Sequence, residues 1–195
     1  MLTWQLVVAV TQVRRQKSPW KQRLSWSAVL VGGALLFLWP NLGCGGAQFN
    51  GVEYRDQQVA FRLGPLPAGM RTVQSDDARL AFQNDQAGAT IAIGARCGEE
   101  ADDVPLRALV QHLFLQFEDR TLLSERELVL DSRAALRAEL IARLDGVKRH
   151  FVVVVMKKDE CVYDFLHVDG GGDGAAQVRS RQDFSKMIEG FVVLN

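Results

Sequence analysis

From Ala134 to Val168 the chain carries the signals of consecutive strands in one sheet, and this run constrains the fold more than any other feature. Four successive valines, Val152–Val155, lie inside His150–Met156, and β-branched side chains at that density suit a central strand buried on both faces. Asp145-Gly146 precedes the run and Lys158-Asp159-Glu160 follows it. Asp-Gly is the strongest short hairpin signal, because both turn positions need positive φ. Cys161–Val168 then reads as the hairpin partner of the valine strand. Ala134–Leu144 is rich in good helix formers, yet period two sorts it cleanly. Leu136, Ala138, Leu140, Ala142 and Leu144 face one way, while Arg137, Glu139 and Arg143 face the other. A strand is expected there, since helix propensity is a weak prior that sheet context overrides.

Other segments extend the same design. Gln58–Leu63 and Leu122–Leu130 alternate polar and apolar residues; turn residues stop the former at Gly64-Pro65-Leu66-Pro67-Ala68-Gly69. Ala78–Phe82 and Ala89–Arg96 read as a hairpin across residues 84–88. Pro105–Asp119 places Leu106, Leu109, Val110, Leu113, Phe114 and Phe117 at helical spacing, which predicts a helix laid on the sheet. A Gly-rich stretch, Asp169–Ala176, reads as a flexible loop. A closing helix is expected from Ser180, with Asp183 three residues on in a capping-box arrangement and a stripe of Phe184, Met187, Ile188 and Phe191. The expected class is α+β: an antiparallel β-sheet covered by two or more helices.

The N-terminal part has a different character. Five of the 23 basic residues (Arg14, Arg15, Lys17, Lys21, Arg23) and all four tryptophans precede residue 44, with no acid among them. The remainder holds 18 basic against 23 acidic side chains, so it is mildly acidic. It has no basic stripe interleaved with aromatics, which argues against nucleic-acid binding. Ala28–Trp39 is an unbroken apolar run behind the basic cluster and ahead of Pro40 and small residues, the order of a cleavable export signal. A retained anchor is the alternative, but the run is shorter than the roughly 20 residues a span needs. Leu42-Gly43-Cys44 resembles a bacterial lipobox, which implies that Cys44 becomes the lipid-bearing first residue and holds the protein to a membrane. Ordinary signal-peptidase cleavage after Ala47 is the competing outcome. Residues 1–43 are thus expected to be a signal peptide, and a start at Val13 would leave 1–12 untranslated. Residues 44–53 then form a flexible tether, and 54–195 a single domain. Gly45, which is not aspartate, weakly favours the outer membrane.

With Cys44 lipidated, Cys97 and Cys161 remain as an even pair in an oxidising compartment. Both lie at strand ends, so a disulfide is expected, with free buried thiols as the alternative. No cofactor or metal site is expected. His112 falls on the polar side of its helix, and His150 and His167 at strand ends, where solvated or edge positions account for them. Ser124, Ser132, Ser180 and Ser185 lack the setting of a nucleophile elbow. No catalytic residue is assigned.

Phe61-Arg62-Leu63 before Leu66-Pro67-Ala68-Gly69, a mid-chain amphipathic helix, Leu144-Asp145-Gly146 and a final helix ending at Gly190-Phe191 together resemble the PsbP-like family. That family includes an extrinsic subunit of the photosynthetic oxygen-evolving complex, and the resemblance covers most of residues 54–193. It implies an α/β/α sandwich whose relatives bind other proteins and assist assemblies without catalysis. The expected function is a lipid-anchored, non-enzymatic envelope module that docks onto an envelope protein. The alternative is a carrier or sensor of a small apolar ligand held between sheet and helix.

Overall fold

A computed structural model describes residues 46–170, 172 and 174–194. The expected signal peptide and Cys44 lie outside the described residues. Two antiparallel sheets form. The smaller runs β1 (Gln48–Phe49), β2 (Glu53–Arg55), β3 (Ala60–Arg62), β11 (Val192–Val193). The larger runs β4 (Arg71–Val73), β5 (Leu80–Asn84), β6 (Ala89–Cys97), β10 (Cys161–Asp169), β9 (Val147–Lys158), β8 (Arg133–Leu144), β7 (Glu118–Leu130). Helix α1 spans Leu106–Leu113 and α2 spans Ala175–Glu189.

Strands β7 to β10 form a meander joined by two-residue turns, Asp131-Ser132, Asp145-Gly146 and Asp159-Glu160, all six residues at positive φ. That is the signature of the turn whose twist matches the flanking strands. The segment 134–144 is a strand, as its alternation predicts. Its pairing on both sides, with β7 and β9, overrides the helical propensity of its residues.

Period two then sorts the core into two layers. On one face of the large sheet Ile91, Ile93, Val152, Val154, Met156, Tyr163 and Phe165 pack with the small sheet and with Phe184, Met187 and Ile188 of α2. On the other, Leu136, Leu140, Phe151, Val153, Val155 and Leu166 pack under Leu109 and Val110 of α1 and under Phe114 and Phe117. The sandwich of helix, sheet and helix is the expected class, with the small sheet as an added part.

Several boundaries differ from the sequence reading. The first helix stops at Leu113 instead of reaching Asp119, because Phe114 and Phe117 both turn onto the Phe151 ring, at centroid distances of 5.3 and 5.1 Å. This frees Glu118 onward for β7. The last helix begins at Ala175, not at Ser180, so Ser180 lies inside it and caps nothing. Asp169, read as loop, ends β10. Gln48–Phe49 pair with Arg55 and Tyr54 inside the stretch read as a tether.

Close backbone contact joins the small-sheet layer to α2. Gly64 N–H donates to the Met187 carbonyl at 2.9 Å. A Cβ at Gly64 would lie 2.7 Å from the Lys186 carbonyl oxygen and 2.8 Å from that of Met187. Both are backbone atoms and cannot swing away. Gly64→Ala is therefore expected to cost about 2 to 3 kcal/mol by overpacking. Urea unfolding of the variant against the parent measures it, and a loss below about 0.5 kcal/mol, the range of ordinary surface changes, would show that the layers slide apart freely.

Candidate functional site

At the end of the large sheet where β9 begins and β10 ends, the face under α2 carries polar side chains in place of apolar ones. His150 shares the parity of Val152 and Val154; His167 and Asp169 share that of Tyr163 and Phe165. Helix α2 lays Ser180 and Arg181 over them. All are shielded: His150 is 6% exposed, His167 0%, Asp169 1% and Ser180 6%. The expectation of solvated or edge histidines fails for these two, because a helix covers the strand ends that carry them. His112 is exposed, as expected.

The contacts form a connected set. Ser180 Oγ and His167 Nε2 are 2.9 Å apart. Arg181 donates to Asp169 Oδ2 at 2.6 Å, and the Nδ1 atoms of His150 and His167 each lie 3.9 Å from that same oxygen. His150 Nε2 is 2.9 Å from Glu139 Oε1, and Arg137 donates to Glu139 Oε2 at 3.1 Å. With the His167 proton on Nδ1, facing the carboxylate, Nε2 accepts from Ser180. Neither histidine Nδ1 makes a hydrogen bond; at 3.9 Å the carboxylate acts on them as a charge. Ser180, His167 and Asp169 thus share the residue types of a hydrolytic triad. The serine is covered by its own helix, however, and its hydroxyl is engaged. Among the described residues no group of three or more His, Cys, Asp or Glu side chains could hold a metal ion.

Burial drives the His167 pKa down to about 4; the Asp169 carboxylate opposes this, while Arg181, His150 and Arg137 add to it. The folded state therefore takes this proton later than the unfolded chain, whose histidine titrates near 6.5. Stability contributed by neutral His167 is complete above pH 6.5 and is lost as pH falls toward 4, by about 3 kcal/mol. Urea midpoints from pH 7 to pH 4.5 should show this fall, and His167→Gln should flatten it. An equally steep fall in the variant would assign the acid sensitivity to other groups.

A second feature is an open sheet edge. Strand β7 is thirteen residues long and, among the described residues, pairs with β8 alone. Leu122 (58%), Leu123 (49%) and Val129 (77%) are among the most exposed large apolar side chains described. Register shifts interrupt its pairing between Glu118 and Thr121 and between Leu122 and Ser124. Beside it, against α2, lies a groove of about 250 Å³ floored by Leu128, Val154, Phe184 and Ile188 and rimmed by Arg126 and Arg137. A larger cavity of about 580 Å³, at the end of the sheet where the Asp159-Glu160 turn lies, is walled by Asp103, Arg133, Lys157, Lys158 and Asp159, near the bond between Cys97 and Cys161. Those cysteines are direct cross-strand neighbours of β6 and β10 and form a disulfide with a Cα separation of 4.0 Å.

Two helices on opposite faces of an antiparallel sheet, with a small second sheet beside one of them, define an α/β/α sandwich. The sandwich is PsbP-like. The solution structure of cyanobacterial PsbP (CyanoP) from Synechocystis sp. PCC 6803 matches at a TM-score of 0.53 and 11% identity, over 82% of this chain and 99% of that one. The crystal structure of LpqN, involved in cell envelope biogenesis of Mycobacterium tuberculosis, matches at 0.50 and 12% identity, over 71% of this chain and 86% of LpqN. At such identities the likeness is one of fold. No protein-family model matches the sequence, and no curated protein matches it either.

The cluster of Arg137, Glu139, His150, His167, Asp169, Ser180 and Arg181 went unassigned in the sequence. Its one visible trace is parity: His150 belongs to the valine strand's inward set, and His167 and Asp169 to their partner's. Which set faces a helix is not written in either strand.

Proposed function

We propose that this protein is a lipid-anchored, non-enzymatic accessory module of a bacterial cell envelope, and that it binds another protein through the edge of β7. The observation that carries the reading is that edge: a long strand whose outer side has no partner strand among the described residues, with three large apolar side chains in solvent, the kind of surface that takes up a partner. The absence of catalysis is supported by the triad-like group of Ser180, His167 and Asp169 being sealed under α2, where no substrate carbonyl can meet Ser180. LpqN, of the same fold, is described as taking part in cell envelope biogenesis. The anchor rests on the signal-like segment and on Cys44. The ligand-carrier reading is weaker. The apolar groove of about 250 Å³ falls below the roughly 300 to 1,000 Å³ usual for small-molecule pockets.

Two measurements in bacterial cells test the proposal. The parent should fractionate with membranes and yield an acylated N-terminal Cys44, while Cys44→Ser should leave the membrane fraction. Leu122→Lys with Leu123→Lys should abolish crosslinking to whatever protein the parent contacts, without altering the domain's unfolding midpoint. An unmodified Cys44 would refute the anchor. Undiminished crosslinking from the lysine variant would refute the docking edge.

A further inference from the structure

The first half of β7 is open on both faces as well as along its edge, with every residue from Glu118 to Ser124 exposed. About the bond between Leu122 and Leu123 its sequence is complementary to itself. Asp119-Arg120-Thr121-Leu122 reads outward on one side, and Leu123-Ser124-Glu125-Arg126 on the other. Taking the β7 edge as the docking surface proposed above, we infer that its partner is a second copy of this chain, paired β7 to β7 antiparallel about a two-fold axis between Leu122 and Leu123.

In this register Leu122 meets the second copy's Leu123, and Thr121 meets its Ser124. Arg120 meets Glu125 and Asp119 meets Arg126, two opposite-charge pairs that outweigh the one like pair further out, Glu118 with Glu127, and symmetry doubles each pair. Opposite charges and apolar pairs directly across a strand pair stabilise it, and like charges destabilise it. A slip by one residue in one direction would set Arg120 against Arg126 and Asp119 against Glu127, and in the other Asp119 against Glu125, so charge selects the register. Asp119 also holds Arg143 at 2.8 Å, and Glu125 is paired with Arg107. A carboxylate accepts several donors, so these pairs can be shared across the interface. The register shift at Leu122–Ser124 falls at the axis, where each copy's irregularity faces the other's. The shifts also deny the edge a long uninterrupted ladder, which suits a short contact closed by symmetry. The axis stands perpendicular to the sheet, so both small sheets lie on the same side of the joined fourteen strands. Both chains then enter their domains at Gln48 from that side, as two lipids in one bilayer require.

The test uses the full chain in bacterial membranes, with a photo-crosslinking residue in place of Leu123. Irradiation should give a species of twice the protomer mass, with the link mapped to residues 120–126 of the second copy. Arg120→Glu and Glu125→Arg should each cut its yield roughly tenfold. The double variant should restore it. Such rescue cannot arise within one chain, where residue 125 would face Arg107 with like charge. A link from Leu123 to a different protein would overturn the self-pairing and leave the docking edge standing. No link at all would overturn both.

Discussion

Asp169→Ala should destabilise the folded domain by about 3 to 5 kcal/mol, the usual cost of removing one partner from a buried ion pair. The carboxylate is fully buried and holds Arg181, itself 14% exposed, at 2.6 Å. Without it a guanidinium stays shielded from water beside two imidazoles, with no anion at its fork. Urea unfolding at pH 7 gives the loss directly. A companion variant separates charge from volume: Asp169→Ala with Arg181→Leu removes both ions, and should recover a large part of the stability. Equal losses in the single and double variants would mean that the carboxylate acts through packing or the histidines and not through Arg181. A loss below about 1 kcal/mol would place the cluster in contact with water, where such pairs contribute little.

Reducing the disulfide between Cys97 and Cys161 should cost about 4 kcal/mol, because the bond closes a loop whose ends are 64 residues apart and restricts the unfolded chain accordingly. The cysteines pair across β6 and β10 near the centre of the strand order, so their loss leaves the ladder in place. The expected signature is a lower urea midpoint with reductant, the same midpoint for Cys97→Ser with Cys161→Ser, and no further effect of reductant on that variant. A parent midpoint indifferent to reductant would show that the loop is already ordered in the unfolded chain.

The strands of the large sheet were legible in the sequence wherever a turn and an alternation agreed. Asp145-Gly146 with the parity of Leu136 to Leu144 was enough to override strong helix formers. Strands β1, β2, β4 and β11 were not legible, since two or three residues cannot express a period, and long-range pairing alone makes them strands. Val192–Val193, for instance, is a strand because Phe61 and Arg62 receive it. The buried cluster was hidden for a related reason. His150, His167, Ser180 and Arg181 are ordinary exposed residue types, and only the crossing of α2 over the strand ends makes them core. Ser180 misled in particular, because Ser-x-x-Asp marks a helix start where no helix turn precedes it, and here a full turn does.

The pairing of β3 with β11 joins Phe61 to Val193, nearly the whole length of the domain apart. Phe191 packs there on the rings of Phe61, Tyr163 and Phe165. A contact between such distant positions cannot form until Val192 and Val193 are free, and it carries the loop-closure cost of non-local topology. The layer over one face of the sheet therefore closes last. A domain emerging end-first, from a ribosome or through a narrow passage, stays open until Val193 is out. The strand that completes the domain is also the one that times its folding.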